Sequence, residues 1–471
     1  MKNASRRNNT PSTTVAPCSL VKRLQELAGL SKPSREALQT LESRQMLSAA
    51  VITGTAANQN VFDNTTVDPF SAVTIADTDS PLLSVEIQLD NSAKGIFTTG
   101  SVSSTGFTSQ GSGRYTYFGS PTDATTAIRG LTFDPTDNRV PVSFSETTRF
   151  TITVDDATDL TVDSVSTARS VSANDAPTIT GATASTTIND TATATPFSGM
   201  TIADVDPFQS LTVFVTLDTT AKGAFTSASL TSSGFTAAGG GVYTVTGSAA
   251  VVTTAIRLLA FDPTNNRSAV GATETTSFTV AVNDGVVVAT DAATNVTSTS
   301  VNDAPTISGA LAGQAAADNA TMSPFAAVTI ADVDPSQTQT VTVTLDTAAK
   351  GAFTPGSLAA SGFSDAGGGA YTFSGTAAAA TTAIRALVFA PTENRAAIGA
   401  TETTTFTIAT NDGVAGTVSN TTSTVISTPY NDASTITGAS AGQAVADTGA
   451  LAAFSAVTIA DVDSPAQTLT L

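Results

Sequence analysis

The sequence predicts an all-β protein made of tandem β-sandwich modules, and three observations support that fold class. Apolar and polar residues alternate in short runs such as 83–89 and 211–217, which is the pattern of a half-buried antiparallel strand. Long stretches of sequence repeat at intervals of 127 to 129 residues. Glycine-rich turns, for example 239–241 and 367–369, precede further alternating segments and indicate hairpins. Many short strands and turns of this kind favour two packed sheets in each repeat.

The repeats define the expected domains. The phrase Thr-Ile-Ala-Asp-x-Asp begins at Thr74, Thr201, Thr329 and Thr458. From such repeats we expect a leader, three complete modules and the start of a fourth, at 1–51, 52–176, 177–304, 305–433 and 434–471. Because segment 468–471 aligns with a strand of the first module, we expect the fourth module to continue beyond Leu471. Each module is large enough to bury its own core, so the modules should form an elongated array.

Each module is also expected to contain one short helix. In the third module this helix covers 378–387 and places Ile384 and Leu387 on one face. Its copies lie near 122–131 and 250–259. Recurring lysines in expected hairpin turns and arginines on this helix are interpreted as solvated surface charges or members of surface ion pairs, namely Lys94, Lys222, Lys350, Arg129, Arg257 and Arg385. Tyrosines in alternating strands are interpreted as core residues, namely Tyr115, Tyr117, Tyr243 and Tyr371.

The composition argues against catalysis. The 471 residues include no His, no Trp and a single Cys, Cys18. The side chains most used for nucleophilic and acid–base chemistry are therefore nearly missing. An intramolecular disulfide cannot form from one Cys. We expect the chain not to be an enzyme.

Charge divides the chain into two unlike parts. Residues 1–50 carry 8 Lys or Arg and 3 Glu, whereas the remaining 421 residues carry 12 basic and 36 acidic groups. A body this acidic repels phosphate backbones and anionic lipid, which excludes nucleic acid as an expected partner, and it is compatible with divalent cations. No run of 18 apolar residues occurs, so no transmembrane helix is expected.

Three acidic motifs in this order resemble those of cadherin-like repeats in large bacterial surface proteins and adhesins. Val73–Asp79 and its copies resemble the Asp-x-Asp segment of that family, and 174–177 resembles the linker that joins consecutive repeats. Segment 274–285 resembles the stretch in which an acidic residue precedes a strand that ends with Asp before Gly. The resemblance covers residues 52–471. It implies an Ig/cadherin-like sandwich fold with calcium bound where modules meet.

The resemblance also implies which residues would hold calcium, whose preferred ligands are carboxylate, amide and carbonyl oxygens. The first junction would use Glu146, Asn174, Asp175, Asp204, Asp206 and Asp284. The second would use Glu274, Asn302, Asp303, Asp332, Asp334 and Asp412. The third would use Glu402, Asn431, Asp432, Asp461 and Asp463. The corresponding positions in the first module are Asp77, Asp79 and Asp156.

The linker departs from the family pattern at one position. An Asp two residues before the Asn is replaced by Ser172, Ser300 and Pro429. Fewer ligands imply fewer ions or weaker binding, on the order of 10⁻⁴ to 10⁻³ M. The alternative is that these residues form ordinary Asx turns without any metal. The Asp-x-Asp pairs favour a cation, because two carboxylates so close repel each other unless a cation or strong donors lie between them.

The leader has its own motif. Segment 41–49 resembles the LEPRxLL element found near the N-terminus of large exported proteins in certain bacteria, with Ser43 in place of its Pro and Met46 in place of one Leu. The resemblance implies export. The alternative is an amphipathic helix with no targeting role.

Together these features predict a non-catalytic repeat protein of the cell surface or extracellular space. It would be a structural rod or adhesin with calcium-stiffened junctions. Its partner would be an unknown surface protein or glycan, or another copy of itself. The alternative is that the modules are spacers of a larger exported enzyme whose catalytic domain lies beyond Leu471.

Overall fold

The structure, a computed structural model, describes residues 48–463 and 468–470. The predictions about Cys18 and about segment 41–47 of the leader motif therefore lie outside the described residues. The contacts divide the chain into two units. The first unit runs up to Arg139 and includes Phe144–Ser172, and the second comprises Val140–Ser143 and everything from Ala173 onward.

The first unit consists mainly of short strands. Its first six are β1 Val51–Thr53, β2 Gln59–Phe62, β3 Thr74–Ala76, β4 Leu83–Leu89, β5 Gly95–Phe97 and β6 Thr108–Gly111. The others are β7 Arg114–Gly119, β8 Phe133–Pro135, β9 Ser145–Asp155, β10 Leu160–Asp163 and β11 Thr167–Val171. Its helical segments are a 3-10 turn at Ser92–Lys94, α1 Thr99–Thr105 and α2 Pro121–Arg129.

The second unit repeats this order of elements twice. The first repetition has β12 Thr178–Thr180, β13 Thr186–Asn189, β14 Thr201–Ala203, β15 Leu211–Leu217, β16 Gly223–Phe225, β17 Thr236–Gly239, β18 Val242–Gly247, β19 Phe261–Pro263, β20 Thr273–Asn283, β21 Val288–Asp291 and β22 Asn295–Thr299. Its helical segments are Thr220–Lys222, α3 Ser227–Ser233 and α4 Ala249–Arg257.

The next repetition has β23 Thr306–Ser308, β24 Gln314–Ala317, β25 Thr329–Ala331, β26 Gln339–Leu345, β27 Gly351–Phe353, β28 Ser364–Gly367, β29 Ala370–Gly375, β30 Phe389–Pro391, β31 Glu402–Asn411, β32 Val418–Asn420 and β33 Thr424–Thr428. Its helical segments are Ala348–Lys350, α5 Pro355–Ser361 and α6 Ala377–Arg385. Two further strands follow, β34 Thr435–Thr437 and β35 Thr458–Ala460.

One large sheet organises each repetition. In the first unit its strand order is β2-β11-β9-β4-β7-β6, and β10 also pairs with β9. The long strand β9 joins β11 through its first half and β4 through its second half. Two small antiparallel pairs, β1–β3 and β5–β8, complete the sandwich-like module. The second unit contains the same arrangement twice, which confirms the predicted all-β fold of tandem sandwich modules.

The prediction of one helix per module is wrong, because each module has two. The second helix, represented by α1, has the sequence TGSVSST, which lacks the apolar spacing that identifies a helix. Its ends explain why it forms. The Thr98 hydroxyl accepts a hydrogen bond from the Ser101 N–H, and Gly106 ends the helix in the left-handed conformation. These are favourable N-cap and C-cap residues.

Four phenylalanines form the centre of each core. In the third module these are Phe325, Phe353, Phe389 and Phe406, all at most 2% exposed. The ring of Phe406 lies edge-on to Phe325 and Phe389, with centroids 5.2 and 5.1 Å apart. Such edge-to-face contacts add to the free energy gained by burying the rings. The same quartet occurs in both other modules.

The recurring lysines form surface ion pairs, one of the two interpretations drawn from the sequence, whereas the recurring arginines donate to backbone carbonyls. Lys222 ends a 3-10 turn, and its Nζ contacts Asp218 Oδ2 and the Thr275 carbonyl, both at 2.7 Å. The Nε of Arg257 donates to the Met200 carbonyl at 2.6 Å. Equivalent contacts occur in the other modules. Each side chain therefore ties its turn or helix to a neighbouring segment. Tyr115, Tyr243 and Tyr371 are buried, as expected, whereas Tyr117 is only partly buried.

Candidate metal site at the module linkers

The Asp-x-Asp segments form tight loops directly after β14 and β25. Asp204 Oδ1 accepts a hydrogen bond from the Asp206 N–H at 3.0 Å, and Asp332 Oδ1 accepts one from the Asp334 N–H at the same distance. These contacts are Asx turns, which Asp forms readily because its short side chain reaches the backbone two residues ahead. The loop therefore fixes one oxygen of its first Asp. The other oxygen of that residue, Oδ2, takes no part in the turn.

The Asn-Asp linker binds to the loop that follows it. Asp175 N–H donates to Asp206 Oδ2 at 2.8 Å. In the next copy Asp303 N–H donates to Asp334 Oδ2 at 2.7 Å. The second Asp of each loop, Asp206 or Asp334, is only 5% exposed. The linker backbone is thus held in register against the beginning of the module that it precedes.

The linker Asn brings in the carboxylate at the end of the long strand. Asn174 Nδ2 donates to Asp284 Oδ2 at 2.9 Å, and Asn302 Nδ2 donates to Asp412 Oδ2 at 2.9 Å. The other oxygen of Asp284 accepts the Val286 and Val287 N–H groups. Five predicted residues therefore meet in each copy. We call Asn174, Asp175, Asp204, Asp206 and Asp284 the first linker cluster. We call Asn302, Asp303, Asp332, Asp334 and Asp412 the second linker cluster.

The remaining copies follow the same pattern in part. In the first unit Ser48 occupies the position of the linker Asp, and its N–H donates to Asp79 Oδ2 at 2.8 Å. Asp77 Oδ1 accepts the Asp79 N–H, and Asp156 Oδ1 accepts the Thr158 N–H. Near the C-terminal end the corresponding contacts join Asn431 to the Asp432 carbonyl, Asp432 to Asp463, and Asp463 to Asp461.

The three predicted glutamates have a different partner. Glu274 makes a two-bond ion pair with Arg267, through Nε at 3.0 Å and through the terminal nitrogen at 3.2 Å. The pairs Arg139–Glu146 and Arg395–Glu402 have the same geometry. The carboxylate of each Glu is therefore already neutralised by a guanidinium group in a bidentate pair. The structure does not join these glutamates to the linker Asn and Asp residues by any of the hydrogen bonds described above.

Two residues at the linker were missed by the sequence reasoning. Asp190 is only 3% exposed, and its two oxygens accept the Asn266 N–H at 3.0 Å and the Val301 N–H at 3.1 Å. Asn266 Nδ2 in turn donates to Asp303 Oδ2 at 3.0 Å. Both positions recur in step with the modules, as Asp63, Asp190 and Asp318 and as Asn138, Asn266 and Asn394. This periodicity was the signal that could have identified them.

Replacing Asp190 with Ala is expected to lower the free energy of unfolding of its module by about 2 kcal/mol, because two partly buried N–H groups lose their acceptor. Hydrogen exchange of the β20 amides, followed by mass spectrometry on the full chain, measures this change. Asp262→Ala, which removes an exposed carboxylate of the same module, is the control. Equal exchange in the two variants would contradict the structural role of Asp190.

The acidic groups of the second linker cluster lie close enough to affect one another. Burial raises the pKa of Asp334, and the neighbouring carboxylates Asp332, Asp303 and Asp190 raise it further. In the first linker cluster, burial likewise raises the pKa of Asp204. A negative charge at these positions is therefore opposed both by desolvation and by like charges. A cation would relieve both effects.

Three buried side-chain oxygens, one in the second linker cluster and two in residues outside it, have no hydrogen-bond partner. These are Asp334 Oδ1, Asn266 Oδ1 and Gln337 Oε1. They are hard oxygen donors, which suit calcium better than they suit softer metals. Within residues 48–463 and 468–470, no group of three or more acidic side chains is already arranged to hold a metal ion. The donors present fit calcium in kind.

The helices in the described part of the chain are too short or too polar to cross a membrane.

Comparison with known proteins gives weak likenesses. No family model matches the chain, and no curated protein sequence matches it. A Drosophila N-cadherin EC1-4 structure is similar at 11% identity and a TM-score of 0.25, over 80% of this chain and 72% of that one. The human desmocollin-1 ectodomain is similar at 11% identity and a TM-score of 0.20, over 79% of this chain and 57% of that one. The C-terminal domain of the Streptococcus agalactiae polypeptide BspA is similar at 8% identity and a TM-score of 0.16, over 51% of this chain and 95% of that one. The fold class rests on the strands of the chain itself: it is a tandem array of sandwich-like β modules.

Proposed function

We propose that this chain is a non-catalytic repeat protein of the cell surface or extracellular space. Its β-sandwich modules would act as a structural rod or adhesin, and Ca²⁺ would lock neighbouring modules together at the linkers. One observation carries the proposal. Asp334 Oδ1 is buried without a hydrogen bond, in a residue whose neighbours include the carboxylates of Asp190, Asp303 and Asp332.

Asx turns alone do not account for this arrangement. They explain Asp332 Oδ1 and the linker contact explains Asp334 Oδ2, because both oxygens accept backbone N–H groups. They leave Asp334 Oδ1 and Asn266 Oδ1 buried without a donor. A buried polar atom without a partner costs free energy. A bound cation would supply the missing interaction to both atoms and would offset the repulsion among the carboxylates.

The origin of these residues gives the ion its proposed role. Asp190 and Asn266 belong to one module, Asp303 to the linker, and Asp334 to the module that follows. Ca²⁺ accepts six to eight oxygen ligands in flexible geometry, so one ion can hold donors from all three segments. Such an ion would restrain the orientation of one module against the next. The excess of 36 acidic over 12 basic groups after residue 50 favours attraction of cations to these sites.

Calcium titration of the full chain after treatment with a chelator tests the proposal. We expect heat from binding with a Kd on the order of 10⁻⁴ to 10⁻³ M, and we expect small-angle scattering to show a less flexible particle when calcium is present. Asp334→Asn should reduce the number of bound ions, because it removes a charge and keeps one oxygen for the Asp303 N–H. Asp262→Asn is the matched control. Absence of calcium heat together with identical scattering curves would overturn the proposal.

The adhesive partner is proposed only as a class. A surface protein, a glycan or a second copy of this chain would each fit a repeat protein that presents its modules outside the cell. Binding of the calcium-loaded chain to itself can be measured by analytical ultracentrifugation with and without chelator. Calcium-dependent self-association would identify a second copy as the partner.

A further inference from the structure

The Asp-x-Asp loops differ in what contacts the second oxygen of their first Asp. In the second linker cluster, Asp332 Oδ2 accepts a hydrogen bond from Gln339 Nε2 at 2.5 Å. In the first linker cluster, Asp204 Oδ2 is buried and has no hydrogen-bond partner. The residue at the beginning of the following strand causes this difference, because β26 begins with Gln339 and β15 begins with Leu211.

A second substitution accompanies the first. Gln339 is fully buried, and its Oε1 accepts a hydrogen bond from Thr410 Oγ1 at 3.1 Å. The residue equivalent to Thr410 in the preceding module is Val282, which is also fully buried. A buried amide costs free energy unless both of its ends are bonded. Thr410 bonds one end of Gln339 and Asp332 bonds the other, so the polar pair is satisfied on the otherwise apolar buried face of the β26–β31 pair.

We propose that Gln339 is an internal substitute for a cation at Asp332, and that the second linker cluster therefore binds Ca²⁺ more weakly than the first. This inference rests on the function proposed above. A cation that uses Asp332 Oδ2 must displace the Gln339 amide, which then stays buried without an acceptor. At Asp204 no such displacement is needed. An ion at the second linker cluster still has Asp334 Oδ1, in a residue only 5% exposed.

In the C-terminal copy, a different side chain donates to the second oxygen of the first Asp. There Ser434 Oγ donates to Asp461 Oδ2 at 2.7 Å. The position of Ser434 is occupied by Pro305 and Pro177 in the earlier copies. A side-chain donor therefore reaches the second oxygen of the first Asp in two of the copies. The linkers of one chain would accordingly form a graded series of calcium affinities.

A calcium titration of the full chain, followed by hydrogen exchange and mass spectrometry, tests this inference. Peptides covering 173–178 and 301–306 report separately on the first and second linker clusters. The variant Gln339→Leu with Thr410→Val installs the residue types that the preceding module carries. We expect the calcium concentration that half-protects peptide 301–306 to fall by about ten- to a hundredfold, with no change for peptide 173–178.

The reciprocal variant, Leu211→Gln with Val282→Thr, is the matched control. It should raise the calcium concentration needed to protect peptide 173–178 by a similar factor. Exchange of the β31 and β20 amides confirms that each variant is folded. If calcium protects the linker peptides but neither double variant shifts the calcium concentration needed for protection, the inference is overturned and the proposed function stands. If no linker peptide of any variant responds to calcium, both are overturned.

Discussion

Phe406→Ala is expected to destabilise the third module by about 4 kcal/mol, the range for a fully buried Phe truncated in a core. The ring is 0% exposed and contacts Phe325, Phe353 and Phe389. Removing it leaves a cavity that three rigid rings cannot fill by small movements, because protein cores are packed as densely as organic crystals. The loss combines transfer free energy with the ring–ring contacts.

Hydrogen exchange of the β31 amides measures this effect in the full chain. An effect of 4 kcal/mol corresponds to roughly a thousandfold faster exchange through global unfolding. The corresponding strand β20 in the preceding module serves as an internal reference. Phe208→Ala is the matched control, because Phe208 is 88% exposed and its truncation should change stability by less than about 0.5 kcal/mol. Equal exchange in the two variants would show that the quartet does not hold the core together.

Gly351→Ala is expected to lower the free energy of unfolding of the third module by about 2 to 6 kcal/mol. Gly351 has φ 155° and ψ −175°, a region that only glycine adopts without a penalty of about 1 to 3 kcal/mol. A Cβ would also lie 2.5 Å from the Ala390 carbonyl oxygen and 2.5 Å from the Phe389 ring. The backbone oxygen cannot withdraw without breaking the β27–β30 pair, so overpacking adds about 1 to 3 kcal/mol.

A second glycine of the same module supplies the control. A Cβ on Gly356 meets nothing within 4 Å, and this residue lies inside α5, where Ala is favoured over Gly by about 1 kcal/mol. Gly356→Ala should therefore leave stability unchanged or raise it slightly. Thermal unfolding and exchange of the β27 amides compare the two variants. A Gly351→Ala protein as stable as Gly356→Ala would contradict the steric argument.

The sequence predicted the fold class because its repeats and its period-two strands are both strong signals. Strand β4, for example, alternates buried and less buried residues along all seven positions. The sequence did not predict α1 because its seven residues are mostly Ser, Thr and Gly, and the helix depends on its caps. Caps act through single side-chain contacts, which apolar periodicity does not reveal.

The candidate site was predictable in its central part and not at its edges. Repeated motifs identify Asn302, Asp303, Asp334 and Asp412, although Asp412 lies 110 residues from Asn302. The Glu274–Arg267 pair was missed because seven residues and a turn separate the partners. Asp190 was missed because it belongs to none of the three acidic motifs, and Val301, whose N–H it binds, lies more than one hundred residues away. Calcium itself stays a prediction for the titration to test.

The parallel pairing of β13 with β22 has a mechanical consequence. Thr186 lies opposite Val296 and Asn189 lies opposite Thr299. The strand of the large sheet that comes first along the chain therefore runs beside the strand that comes last along the chain, in the same direction. Tension applied through the two ends of this module pulls the strands past each other lengthwise. The hydrogen bonds of the pair are then loaded in shear and must break together rather than one after another. A module closed in this way resists stretching along the chain.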